Sequence, residues 1–298
     1  MVQLLHGKTA ISIELAKKIG GEIISADSMQ IYKYMDIGSA KPTIEEMQGI
    51  KHYTLDFIEP NQRYSVADYK KQAEECIQRI LANGKTPIIV GGTGLYINSL
   101  IYAIEYNDTK IDQEFRNELE KRANKEGLEK LYIEACNIDK EAMKNISPND
   151  QKRIIRVLEI YKETGKTKTE LEAESRKKIK YDFKVFVTNM ERSKLYERIN
   201  RRVDIMIEQG LIEETKKIIS MYDEFPTAMQ AIGYKEIKEY LDGILTKEEA
   251  IEKIKMESRR YAKRQLTWFR KNQNTTWLDM SKSLNENLAA IMEMIWFL

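Results

Sequence analysis

The sequence predicts an α/β fold in which a parallel sheet is flanked by helices and a helical insertion domain interrupts the chain. Three observations carry this. A Gly-Lys-Thr tripeptide at residues 7–9 stands at the mouth of a helical pattern. Short β-branched runs alternate with helices and end in glycine turns, the order expected of parallel strands with helices on their faces. From about residue 106 to residue 180 strand signals give way to charged helical periodicity.

After Gly7, Lys8 and Thr9, the apolar residues Ile11, Leu15 and Ile19 recur at helical spacing, so the first helix begins there. Residues 22–25 read as a short strand. Ser65 and Asp68 have capping-box spacing and Asn83-Gly84 closes the run, which predicts a helix over 65–82. Residues 87–90 form an apolar strand bounded by Gly91 and Gly92. Helical runs follow at 115–122, 128–136 and 150–164. Residues 183–188 read as a returning core strand, Thr246 as a cap before a helix over 248–271, and Trp277 as part of a last short strand. The core is therefore expected at 1–105 and 181–298, with the insertion at 106–180.

At 298 residues the chain can bury a sizeable core. Charged residues make up 32% of it, yet the net charge is only +2, so a nucleic-acid surface has to come from local segregation of charge. Residues 259–271 supply such a patch: Arg259, Arg260, Lys263, Arg264, Arg270 and Lys271 occur with no acidic residue, interleaved with Tyr261, Trp268 and Phe269. Cations suit RNA phosphates and aromatic faces can stack bases, but Trp268 and Phe269 are expected in the core with only the cations outside. Cys76 and Cys136 are too few for a disulfide framework and lack metal-ligand spacing; they read as small buried hydrophobes in a reducing compartment. With no secretory leader and no apolar run of membrane-spanning length, a soluble cytoplasmic protein is expected.

Gly7, Lys8 and Thr9 form the second half of a phosphate-binding loop, in which backbone N–H groups and the helix dipole hold an anion. Lys8 would neutralise phosphate oxygens and Thr9 would hold magnesium. The full pattern G-x-x-x-x-G-K-[ST] needs glycine where Val2 stands, and the strand that should launch the loop is missing, so a shortened phosphate loop is expected. Asp27 falls at a strand's carboxyl end, where open α/β sheets place their ligands. A general base and a turn cap both fit that position. Gly91, Gly92 and Gly94 fit a turn in which backbones approach closely.

Taken together, Asp27-Ser28-Met29-Gln30, residues 36–42 (DIGSAKP), residues 91–96 (GGTGLY), residues 148–153 with Arg156, Arg198 with Arg202, and residues 230–235 (QAIGYK) resemble the tRNA dimethylallyltransferases, also called tRNA isopentenyltransferases. The resemblance runs from Gly7 to about Trp277. It implies a P-loop-type sheet and transfer of a dimethylallyl group from dimethylallyl diphosphate to the N6 amine of an adenine. That adenine is the one 3′ of the anticodon, position 37, in tRNAs reading codons that begin with U. The resemblance implies pyrophosphate binding by Gly7, Lys8, Thr9, Arg198 and Arg202, catalysis by Asp27, Lys8 and Thr9, and Mg2+ as cofactor on Thr9. It implies tRNA contacts at Asp27, Ser28, Met29, Gln30 and Thr93, at Gln151, Lys152, Arg153, Ile154 and Ile155, and at Gln230, Ala231, Ile232, Gly233, Tyr234 and Lys235. The implied partners are a tRNA anticodon stem-loop and dimethylallyl diphosphate, bound by a monomer without a membrane. Two other readings share some of these features: a small-molecule P-loop kinase, and a tRNA-binding protein silenced by its shortened loop.

Overall fold

The computed structural model describes residues 8–102, 104, 112–175, 181–272 and 274–296. Helix α1 (Lys8–Ile19) buries Ile11 and Leu15, as their spacing predicted, and Gly20, at φ +61°, ends it. Strand β1 (Gly21–Ser25) is buried along its whole length. A short helix α2 (Ile44–Met47) and strand β2 (His52–Tyr53) lead to α3 (Val66–Ala82). The Ser65–Asp68 capping box forms as expected, and Tyr69, Ala73, Cys76, Ile77 and Ile80 line one buried stripe of that helix. Strand β3 (Thr86–Val90) follows, then α4 (Gly94–Ile101). β1 lies between β2 and β3 and pairs with both in parallel, with Ile23 opposite His52 and Ile88, and Ser25 opposite Val90.

Glu22 is a carboxylate inside this sheet, only 5% exposed, held by Tyr53 Oη and Lys85 Nζ, each at 2.7 Å. The Lys85 hydrogen bond outweighs burial and keeps its pKa below the ordinary value. Its folded-state pKa therefore lies below its unfolded one, so the unfolded chain binds more protons as pH falls. The stabilisation is present in full above the ordinary carboxylate value and lost as pH drops through the folded one. Melting curves at stepped pH should show the advantage of wild type over Glu22→Gln shrinking on the acid side.

Residues Asn98–Asp182 form a compact unit of their own. It takes in the end of α4. Its further helices are α5 (Gln113–Glu126), α6 (Leu128–Ile138), α7 (Lys140–Met143), α8 (Gln151–Thr164) and α9 (Lys168–Ser175). Leu119, Leu131, Ala135, Ile154, Val157 and Leu158 fill its core. Glu159, 1% exposed, is neutralised by Arg116 through two bonds of 2.7 and 2.8 Å and by Arg156 at 3.2 Å. Cys136 is half-buried rather than buried.

The chain then returns to the first unit as β4 (Val185–Asn189), α10 (Arg192–Glu208), α11 (Leu211–Met221), a 3-10 turn (Ala228–Gln230), α12 (Tyr234–Leu241), α13 (Lys247–Phe269), β5 (Thr275–Asp279) and α14 (Leu284–Trp296). β4 and β5 pair in parallel from Val185–Thr275 to Asn189–Asp279. Among the described residues the strands form two hydrogen-bonded groups, β2-β1-β3 and β4-β5, where one sheet was expected. Both groups serve one hydrophobic core: Ile23 and Ile88 from the first, Phe186 and Leu278 from the second, Ile11 and Leu15 from α1, and Leu288 from α14 share a cluster. Among the described residues it is this shared cluster that joins them. Among the described residues no helix is long and apolar enough to cross a membrane.

Candidate functional site

The turns that leave β1 and β3 are joined backbone to backbone. Ala26 N–H donates to the Val90 carbonyl at 2.7 Å, and Thr93 N–H donates to the Ala26 carbonyl at 3.0 Å. A Cβ at Gly91 would lie 2.1 Å from the Ala26 oxygen, so only glycine fits. Thr93 Oγ1 accepts the Ser28 N–H at 3.0 Å and sits 3.2 Å from Ser28 Oγ. Asp27 Oδ1 accepts the N–H groups of Met29 at 2.9 Å and Gln30 at 3.4 Å, an Asx turn. One carboxylate oxygen thus caps the turn, and the other, Oδ2, makes no hydrogen bond among the described residues.

The next loop is held from behind. Glu214 accepts backbone N–H groups from Asp36 at 3.1 Å, Ile37 at 2.9 Å and Gly38 at 3.3 Å, and the Tyr234 hydroxyl as well. Lys41, its side chain 7% exposed, bridges the Tyr32 carbonyl, Asp36 and Asp56 at 2.6–2.7 Å. Gln30 joins this loop to β1: its amide takes the Ser25 hydroxyl at 3.1 Å and donates to the carbonyls of Ser39 at 3.3 Å and Ala40 at 3.1 Å.

The residues expected to face RNA lie in differing surroundings. The Gln30 amide is already engaged at both ends. Tyr234 is fully buried, and its hydroxyl is held well above its ordinary pKa by burial and by Glu214. Ala231, Ile154 and Ile155 are core residues, at 6%, 0% and 3% exposure. Ile154 and Ile155 lie on the stripe that α8 buries, and Ala231 packs into the core from the bend after the 3-10 turn. Gly233, also buried, opens α12 at φ +100°. Lys152, Arg153, Gln230 and Lys235 are exposed, while Met29, Gln151 and Ile232 are half-buried.

Arg198 and Arg202, one turn apart on α10, occupy different surroundings. Arg202 is half-buried, and desolvation lowers the pKa of its guanidinium even though the charge of Asp27 opposes that shift. Among the described residues it has no recorded hydrogen bond or ion pair. Arg198 is exposed and lines, with Lys194 and Arg201, a groove of about 800 Å3 at the carboxyl ends of β4 and β5. Thr9 lies in the first turn of α1. Gly7 and the Lys8 side chain fall outside the described residues.

On α13, Arg260 pairs with Glu257 at 2.6 Å and half-buried Arg259 donates to Asn200 at 2.6 Å. Lys263, Arg264, Arg270 and Lys271 are exposed. Phe269 is core at 2% exposure, as expected, but Trp268 is not: it is 38% exposed, with its ring against Gly94, where a Cβ would meet it at 2.5 Å. Sequence reasoning missed Glu214 and Gln265. Gln265 Nε2 donates to the Gly92 carbonyl at 2.7 Å. The only signal for it was the spacing of 261, 265 and 268, which share one helical face.

Asp27 thus stands at the carboxyl end of the central parallel strand, where open α/β sheets place their ligands, and the desolvated Arg202 has no hydrogen bond or ion pair among the described residues. Residues 30–272 match the family model described as IPP transferase, and the chain belongs to that family. It is 51% identical to the tRNA dimethylallyltransferase of Acetivibrio thermocellus over 275 residues, covering 92% of this chain and 88% of that one. It is equally identical to that of Thermoanaerobacter sp. strain X514 over 268 residues, covering 89% and 85%. Among solved structures, the full-length tRNA isopentenylpyrophosphate transferase of Bacillus halodurans superposes with a TM-score of 0.74 at 44% identity, covering 99% of this chain and 94% of that one. A eukaryotic dimethylallyltransferase described as acting on tRNA superposes at 0.76 with 29% identity, covering 93% and 72%.

Proposed function

We propose that this chain transfers a dimethylallyl group from dimethylallyl diphosphate to the N6 amine of the adenine 3′ of the anticodon in tRNA. The observation that carries this reading is Arg202, a half-buried, desolvated cation that feels the charge of Asp27 and has no hydrogen bond or ion pair among the described residues. A desolvated, unpartnered cation is costly unless an anion completes it. In the reaction the allylic carbon–oxygen bond breaks, the pyrophosphate leaves with the electron pair, and the N6 lone pair forms the new carbon–nitrogen bond. Charge grows on the pyrophosphate, where Arg202 and Arg198 stabilise it more strongly in the transition state than in the bound substrate. The amine's lone pair is delocalised into the adenine ring, so attack is favoured by a base that takes its proton, and Asp27 Oδ2 is that base. Lys263, Arg264, Arg270 and Lys271 meet RNA phosphates.

Thr9 fits magnesium. A hard ion that keeps most of its waters and takes its other ligands from phosphate needs little more than a hydroxyl from the protein. Held there, magnesium would supply positive charge to offset the charge of the leaving group.

The test is calorimetric titration of dimethylallyl diphosphate into wild type and Arg202→Ala. A charge-assisted bond of this kind is worth about 1.5–3 kcal/mol, so affinity should fall roughly 10- to 100-fold. The melting temperature should hold or rise, since the variant removes a desolvated cation that has no hydrogen bond or ion pair among the described residues. Unchanged affinity would contradict the reading.

A further inference from the structure

Helix α13 does two things at once. One face carries the exposed cations Lys263 and Arg264, and the face bearing Tyr261, Gln265 and Trp268 covers the glycine turn after β3. Gln265 is 6% exposed and its amide orientation is fixed, because only Nε2 can donate to the Gly92 carbonyl. That leaves Oε1 buried with no hydrogen-bond partner. An orphaned buried carbonyl is destabilising, and a methionine would fill the same volume without that cost. A side chain selected for packing alone would not carry the amide, so the donation to Gly92 is its purpose.

Tyr261 Oη points at the same carbonyl from 3.5 Å and sits against Thr93 and Gln265. Burial first, and the Asp27 charge second, push the Tyr261 hydroxyl up to about 12, so it stays protonated and donates throughout the working range. The next residue along, Thr93, binds both Ala26 and Ser28 and so fixes the turn that carries Asp27.

We propose that Tyr261 and Gln265 are positioning residues for the reaction: by gripping the Gly92 carbonyl they set Thr93 and Ser28 beside Asp27, from the helix that carries the RNA-facing cations. The inference rests on the reading of Asp27 as the base, but one of its two tests needs no turnover.

The variants are Gln265→Glu and Tyr261→Phe. An ionised carboxylate at 265 repels the Gly92 carbonyl, whereas a protonated one donates to it as the amide does. The charged and titratable groups around Tyr261 that face this position, Asp27 and Arg264, are common to wild type and variant, so their effects largely cancel in a ratio.

The first readout is hydrogen exchange at the Ser28 and Thr93 amides. Protection should drop about tenfold in Gln265→Glu at neutral pH and recover toward wild type as pH falls, and should drop in Tyr261→Phe at every pH. The second is single-turnover prenyl transfer, which should slow about tenfold in each variant with stem-loop and dimethylallyl diphosphate affinities within twofold of wild type. For Gln265→Glu, the rate relative to wild type should rise as pH falls. Wild-type protection of both amides in both variants would overturn the proposal whether or not the chain transfers a prenyl group. So would rate losses that follow melting temperature with no dependence on pH. A wild-type chain that shows the exchange pattern but no transfer would refute the proposed activity and leave the positioning role standing.

Discussion

Asp27→Asn is expected to fold like wild type and to lose prenyl transfer by a factor of about 10²–10⁴, the usual contribution of a positioned general base. Asparagine is the informative substitution because Asp27 has two duties. Its Oδ1 caps the turn by accepting the Met29 and Gln30 N–H groups, and the asparagine oxygen can take both of these. Only the proton-accepting capacity of Oδ2 disappears. The melting temperature should therefore stay within about 2 °C, since a surface-type change that keeps its hydrogen bonds costs no more than ~0.5 kcal/mol. Asp27→Ala would remove the base and the cap together. A loss of activity shared by both variants, with a melting shift confined to alanine, separates the two duties. Comparable loss of stability in Asp27→Asn would mean that the carboxylate is structural.

Gly91→Ala should be the most damaging single methyl group in the sheet. The added Cβ would stand 2.1 Å from the Ala26 oxygen and 2.3 Å from its carbonyl carbon, and these are backbone atoms rather than the end of a flexible side chain. Neither partner can retreat freely. Ala26 N–H is bonded to Val90 and the Ala26 carbonyl accepts from Thr93, so a shift of either turn breaks the pairing that places Thr93 over Ser28. A cost of about 3 kcal/mol is expected from overpacking of this severity, a fall in melting temperature of roughly 10 °C for a unit of this size. Gly84→Ala is the control. It adds a Cβ with nothing within 4 Å, at φ +68°, and should cost only the ~1–2 kcal/mol of a left-handed alanine. Thermal melts of the two variants give the comparison directly, and equal costs would contradict the close approach.

Local chemistry made much of this readable from the sequence. The Ser65–Asp68 box is a short-range hydrogen-bond pair between residues three apart and forms where the spacing placed it, and Thr246 caps the helix it was expected to open. The glycine turn at 91–94 was legible for the same reason, since a close backbone approach excludes every other residue type. What could not be read depends on contacts between distant segments. The engagement of Gln30 with Ser39 and Ala40, the grip of Glu214 on residues 36–38, and the burial of Tyr234 are set by how α11 and α12 pack against the loop. A glutamate in an amphipathic helix looks like solvated surface until its four donors are seen. Trp268 misled for a related reason: its apolar ring predicted core, but its partner is the bare Cα of Gly94 at the surface, where only glycine leaves room for an indole.

The central claim is that Asp27 and the arginine beside it transfer a five-carbon group to an RNA adenine. Mass spectrometry of an anticodon stem-loop incubated with the protein, magnesium and dimethylallyl diphosphate tests it most directly, with Asp27→Asn as the paired control. A gain of one dimethylallyl group on the adenine 3′ of the anticodon, lost in the control, is the predicted result. An unmodified stem-loop that nonetheless binds the protein tightly would contradict the account and leave an RNA-binding protein without this chemistry.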